Sequence, residues 1–596
     1  MKMHAFRLLL ALAVALPVGR AQETFDAFAD RAAEEWVRQD PQLATGSQYF
    51  TGAEQDALDR QLVAFWPYAG LPLDPTLRAT SLAHARRLLA ELRRFDRAGM
   101  TPSQRNSADA IESTLQQHLT TEAVMDQFFI FQQMGGLHVS LVSFLTQQHP
   151  MRRPRDIENY LARLALVDPA MDLGIKETRA QASRGILPPK FILNAVLGQF
   201  DRFLQPEPAQ NVFVTSLAGR SSTLAGISSE QRAAWIAQAE TIVAEKIRPA
   251  FRRARALVAE QLPRATDDAG IWRLPRGAMA YQFALDAMTT TSMTADEIHA
   301  LGLREVTRIE SEMDRLLGEL GERAGSVGER YARVNARRLP AAQPDPRTDL
   351  IAEFTRIIRD AERRAETMFD LRPKAPVEVR REPIVTEQTA AAHYSEPAPD
   401  GSQPGIFWAP LPEPLTSMWL GAAMRTVTYH EAVPGHHFQL ALQQELPELP
   451  RFRRFGIFGA SAAYNEGWAL YAERLATEAG WYEGDAVSRL GQLNMELFRA
   501  RRLVVDTGLH AKRWTRQQAI DYGIDVAEVE RYVVWPGQAC SYKIGELEIL
   551  RLRAKAQAAL GPKFSMTQFH NAVLRVGSVR LTVLARAIDE YIVSAK

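Results

Sequence analysis

Along most of the chain, apolar residues return every three to four positions, the spacing of a helix that buries one stripe. Leu82, Ala85, Leu88, Leu89, Leu92 and Phe95 make one such stripe. A longer one, Gly302, Val306, Ile309, Met313 and Leu316, follows Thr294-x-x-Glu297. That hydroxyl and carboxylate, three residues apart, predict a capped helix over Thr294 to Leu317. Both stripes read as core faces, and neither a solenoid repeat nor a long low-complexity tract interrupts them.

The helical pattern breaks twice. Residues 322–348 are rich in Gly, Arg, Pro and Ala and read as a surface connection. Residues 376–415 predict short strands at Val377-Glu378-Val379, Pro383-Ile384-Val385, Ala391-Ala392-His393-Tyr394 and Gly405-Ile406-Phe407-Trp408-Ala409, around a Pro-Asp-Gly turn. The expected fold class is mainly α, with a small β-sheet beside a metal-binding helix.

At the N-terminus, Met1 to Arg7 is a short positive start, Leu8 to Val18 an apolar run, and Gly19-Arg20-Ala21 a small-residue junction. This predicts an export signal over residues 1–21, cleaved after Ala21, with a periplasmic or secreted product and no stable membrane insertion after cleavage. The run is short for a bilayer span; the alternative is an uncleaved anchor. Residues 22–596 would form one helical domain, or two helical lobes around a cleft. With 46% hydrophobic residues the chain can bury a large core, and 71 basic against 70 acidic residues give no charge that would attract nucleic acid. The single cysteine, Cys540, excludes an internal disulfide and reads as a small buried residue. No cysteine adjoins the predicted cleavage point. The chain carries no Gly-x-Ser-x-Gly elbow and no phosphate-binding glycine loop.

Candidate chemistry concentrates at Tyr429-His430-Glu431-Ala432-Val433-Pro434-Gly435-His436-His437-Phe438-Gln439, in a chain with only 12 histidines. A zinc ion in a hydrolase commonly keeps three protein ligands and one open position, and a carboxylate that is not a ligand can take a proton from water. His430 would be a ligand and Glu431 the base. In H-E-x-x-H the histidines stand four apart and share a helix face. Here His436 and His437 stand six and seven residues after His430, about 9 to 10.5 Å along a straight helix. Pro434-Gly435 allows the backbone to kink or loop out. A two-residue insertion restores His436 to the position four residues on, and His437 is the alternative ligand. The bland reading is a set of satisfied polar groups near a kink.

Further candidates lie downstream. Glu473 follows Glu466 by seven residues, nearly the same helix face, where it orients a ligand histidine or is simply a solvated glutamate. Arg502, Asp506 and His510 are spaced by four. They form either a surface ion-pair ladder or an inward face on which His510 donates to a developing oxyanion and Asp506 orients it. Tyr542 is a second oxyanion candidate, with a satisfied buried hydroxyl as the plainer reading. Arg531 or Lys543 could meet a substrate carboxylate, and Tyr394, on a predicted strand, is a candidate substrate contact.

Four segments, His430-Glu431-x-x-Pro434-Gly435-His436-His437-x-Gln439, Glu466-Gly467-Trp468-Ala469-x-Tyr471-x-Glu473, Arg502 to His510 and Pro536-Gly537-Gln538-Ala539-x-x-Tyr542-Lys543-x-Gly545, resemble the bacterial family labelled domain of unknown function 885. Thr294 to Val306 resembles it too. The resemblance implies a large, helical, metallopeptidase-like fold related to gluzincins, similar in plan to helical oligopeptidases and angiotensin-converting-enzyme-like carboxypeptidases. It also implies Glu466 as the third ligand of one zinc ion, from the next helix, and an edge strand that pairs with extended peptide, the alternative being a sheet that only supports the site. The expectation is therefore a zinc-dependent peptidase with short peptides as substrates. The alternatives are an exported zinc hydrolase of non-peptide amides or esters, and a non-catalytic binding protein on the same fold.

Overall fold

The computed structural model describes residues 23–341, 344–383, 387, 390–398, 401 and 403–596. The predicted export signal lies outside them. Among the described residues no helix is long and apolar enough to cross a membrane.

Helices carry most of the chain, with one three-stranded sheet. The first predicted stripe is the Pro75–Leu92 helix: Asp74 caps it by accepting from the Thr76 and Leu77 amides, and it buries Leu82, Ala85, Leu88, Leu89 and Leu92. Phe95 falls just past its end. The second is the Ala295–Glu319 helix, opened by the predicted Thr294/Glu297 capping box. Its stripe packs lengthwise on the Ala486–His510 helix and forms a core with Leu490, Leu493, Leu497 and Val504. Each large side chain so buried contributes about 1.5–3 kcal/mol.

Residues 322–348 are not only a connection. A helix spans Val327–Ala336, started by a Ser326/Glu329 capping box, and the Arg347–Ala365 helix begins within the same stretch. The Ser326-x-x-Glu329 signal was present in the sequence, masked by the surrounding Gly and Arg. Arg330, which reads as a surface residue, is buried and pairs with Asp314 of the preceding long helix.

The sheet holds β1 (Val377–Arg381), β2 (His393–Ser395) and β3 (Gly405–Ala409) in the order β1-β3-β2. β1 runs parallel to β3, with Val379 opposite Phe407, and β2 antiparallel, with Tyr394 opposite the same residue. The strand expected at Pro383 to Val385 falls largely outside the described residues; Pro383 itself is not in a strand. Central β3 is buried because Phe407 packs edge-on against Phe354 of the Arg347–Ala365 helix, at 5.2 Å between ring centroids. β1 and β2 are left as the two edges.

Two helices that matter for the site cross in backbone contact. On the Ala462–Glu478 helix, a Cβ added at Gly467 would lie 2.5 Å from Gly545 Cα. On the Ser541–Leu560 helix, one added at Gly545 would lie 1.9 Å from the Ala463 carbonyl oxygen. Any side chain at either position would push the helices apart, and Glu466 and Tyr542 with them.

Candidate metal centre

The helix of Met424–Glu431 does not kink through the inserted Pro-Gly; it stops. Residues 432–435 form a loop, and His436 opens a second helix, His436–Glu445. Gly435 is required there, since an added Cβ would sit 2.0 Å from the His430 carbonyl oxygen. The loop is pinned by the Trp468 indole, which donates to the Pro434 carbonyl at 2.8 Å. The two imidazoles therefore meet, with ring centroids 4.8 Å apart and planes nearly perpendicular.

Glu466 completes the cluster. Its Oε2 lies 3.2 Å from His436 Nε2 and 3.5 Å from His430 Nε2, and one ligand atom from each of the three residues falls within 4.8 Å of the others. Ligands held about 2.0–2.2 Å from a tetrahedral zinc stand about 3.3–3.6 Å apart, so these separations suit such an ion. Oε2 is buried and makes no directed hydrogen bond among the described residues, as expected of donor atoms facing a cation. Two imidazole nitrogens and a carboxylate oxygen are a set zinc accepts. Burial alone would raise the Glu466 carboxyl, but His436 and His430 outweigh it and hold it well below its ordinary range.

Around this cluster the predicted roles divide. Glu473 is fully buried and accepts from His430 Nδ1 at 2.8 Å; Arg499 Nη2 lies 3.6 Å from the same oxygen. Glu431 is buried, and burial pushes its carboxyl up to about 8, with His436 pulling down and Glu466 pushing up. The Tyr542 ring lies nearly parallel to His430 at 6.4 Å, and its hydroxyl has a long 3.5 Å contact from Gln538 Nε2.

His437, the alternative ligand, points away from the cluster. Its Nδ1 meets the Tyr394 hydroxyl at 3.0 Å, and burial lowers its pKa to about 4. The Tyr394 hydroxyl therefore ties β2 to the metal helix.

Four further assignments change. Lys543 is fully buried and bonds Glu496 and Glu546 at 2.7 Å, with Glu305 at 3.2 Å; desolvated and neutralised, it has no path to a substrate carboxylate. Arg531 is half-buried and held by Glu528 at 3.0 Å and by Gln538. His510 spends both ring nitrogens on backbone: Nδ1 accepts from the Ile271 amide at 3.1 Å and Nε2 donates to the Tyr532 carbonyl at 2.9 Å. Asp506 accepts from the Tyr281 hydroxyl at 2.6 Å and the Gly537 amide at 3.0 Å, so it anchors the Pro536-Gly537 turn rather than His510. Arg502, Asp506 and His510 do share one face of the Ala486–His510 helix, but that face is buried.

Arg499 was not singled out in the sequence, although it lies three residues before Arg502 on the same helix. The Arg502 guanidinium lies 4.6 Å from the Tyr542 ring centroid and donates to Glu528 at 2.7 Å and to the Tyr532 hydroxyl at 3.0 Å.

Residues 72–588 match the family described as "Bacterial protein of unknown function (DUF885)". No curated protein matches the chain. Among solved structures, "the putative lipoprotein from Colwellia psychrerythraea" is 30% identical, with a TM-score of 0.87 over 95% of this chain and 100% of that one. "A putative lipoprotein of unknown function from Shewanella oneidensis" shares the fold at 19% identity, with a TM-score of 0.70 over 94% of this chain and 99% of that one.

Proposed function

The chain belongs to the DUF885 family, and from that premise we propose that it is an exported zinc-dependent peptidase of gluzincin-like plan, acting on short peptides. The observation that carries this reading is Glu431. It is a buried carboxyl, one residue after His430, beside two imidazoles and a carboxylate that converge on one point. A binding relic would have no physical need of such a base. A divalent ion held by His430, His436 and Glu466 would supply electrostatic polarisation of a carbonyl and of water.

The chain's own groups account for the rest. Glu473 accepts the Nδ1 proton of His430, which leaves the Nε2 lone pair facing the cluster. Glu431, whose buried carboxyl a cation at the cluster would bring down from about 8 into its ionised form, takes a proton from the attacking water and returns it to the leaving amine. Tyr542, alongside His430, donates to the oxygen on which charge develops. The open edge of β2 offers main-chain groups to an extended peptide. Two solved relatives described as lipoproteins agree with an exported, periplasmic or secreted location.

Metal analysis of the purified protein, together with digestion of a peptide library read by mass, tests this proposal. One zinc per chain and cleaved peptides are expected. A metal-free protein that cleaves nothing in added zinc would overturn it.

A further inference from the structure

The helix that begins at His436 keeps one face open to solvent. Along His436–Glu445 every residue is buried except His436, Leu440 and Gln444, each half-buried and four apart, and Glu445 at the end. Spacing by four keeps the three on one side of the helix. An open strip therefore runs from the metal cluster to Gln444, about 12 Å along the axis.

Glu396, just past β2, stands at the far end of this strip. Its Oε2 accepts from Gln444 Nε2 at 2.6 Å. It follows by two residues Tyr394, whose hydroxyl meets His437, so both side chains leave the strand towards that helix. Glu396 is exposed. Surrounding protein nevertheless desolvates it enough to raise its carboxyl, with Gln444 and then His436 pulling it down. A carboxylate that solvent reaches and protein still crowds lines a cleft, and His436 faces the same cleft. No ion pair holds Glu396 among the described residues. Its neighbour Glu445 is spent on the Lys374 amide, at 2.7 Å, and the Ala375 amide, at 2.8 Å. An unpaired carboxylate in partly desolvated surroundings attracts a cation more strongly than one in open water.

We propose that Glu396 gives the metal cluster a subsite for a positively charged nitrogen of the peptide, its α-ammonium group or a basic side chain. This deepens the peptidase reading and rests on it for where the peptide lies. A peptide paired along the open edge of β2 advances about 3.3 Å per residue. With its scissile carbonyl at His430 and His436, it brings the residue about three or four positions from that bond alongside Glu396.

The probes are an Ala hexapeptide with a free amino terminus, its N-acetyl form, and N-acetyl forms carrying Lys or, as the neutral counterpart, norleucine at each position in turn. Binding is read by calorimetry on the zinc-loaded full protein carrying Glu431→Gln, and hydrolysis by mass on the parent. The free-amine peptide or a Lys peptide should bind about tenfold or more tightly than its neutral counterpart, and the arm that shows the gain identifies the nitrogen. Adding Glu396→Gln, an exposed substitution that retains an acceptor for Gln444, should remove the gain; adding Glu396→Lys should replace it with a preference for peptides carrying Glu. The inference is overturned if no peptide binds, if the neutral counterparts bind as tightly, or if Glu396→Gln keeps the preference. Peptides cleaved and bound without regard to charge would sink the subsite and leave the peptidase standing. A parent that cleaves nothing, yet binds cationic peptides through Glu396, would sink the peptidase and leave the subsite.

Discussion

His430 donates from Nδ1 to Glu473 at 2.8 Å, a bond made in the interior. It fixes the tautomer, turns Nε2 towards Glu466, and joins two helices that are otherwise separate in sequence. Arg499 approaches the same carboxylate oxygen at 3.6 Å and balances its charge.

Glu431→Gln keeps the shape of the side chain and removes its capacity to carry a proton. We expect one bound zinc per chain, as in the parent, and a fall in kcat of about 10²–10⁴. Elemental analysis and peptide hydrolysis on the same sample decide the matter; full turnover in the variant refutes the assigned base.

Glu473→Gln should weaken zinc affinity by about 10–100-fold, since the acceptor for His430 Nδ1 loses its charge. Competition with a chelator of known affinity measures this. Glu473→Ala should cost stability as well, on the order of 3–5 kcal/mol, because Arg499 is then left buried without its carboxylate.

Gly545→Ala should force the Ser541–Leu560 and Ala462–Glu478 helices apart. A methyl 1.9 Å from the Ala463 carbonyl oxygen cannot be accommodated by a rotamer change. Urea unfolding should show a loss of about 1–3 kcal/mol or more, and residual activity should fall further than stability does. Unchanged stability would contradict the close crossing.

Lys543→Met should destabilise the protein by about 3–5 kcal/mol, as Glu305, Glu496 and Glu546 lose their shared cation. In whatever fraction remains folded, KM for peptides with a free carboxyl terminus should match the parent. A selective rise in that KM would return Lys543 to the substrate.

Asp506 links pH to stability. Burial raises its carboxyl from 3.8 to about 7, so the folded protein keeps a proton that the unfolded chain gives up. Stability from this group is complete below the unfolded value and declines as pH rises from about 4 to about 7, by a few kcal/mol in all. Asp506→Asn should flatten this part of the profile of Tm against pH while preserving an acceptor for Tyr281 and Gly537. An unaltered slope would show that Asp506 is already ionised throughout.

The chain alone determined what depends on near neighbours. The stripes from Leu82 and from Gly302, the Thr294 cap, the residues of β1 and β3, and the break at Pro434-Gly435 were all legible, because helix and strand periods and proline and glycine stereochemistry act over a few residues. The helix at Val327–Ala336 was legible in principle from Ser326 and Glu329, and was obscured by composition. Tertiary structure decided the rest. Adjacent histidines at 436 and 437 differ in role because one ring faces Glu466 and its neighbour faces Tyr394. Lys543 and His510 carry reactive groups whose partners, Glu496 on another helix and the backbone of Ile271 and Tyr532, come from distant segments. Spacing along one helix says which residues share a face, but burial and charge compensation belong to what that face meets, and this is set only when separate helices pack.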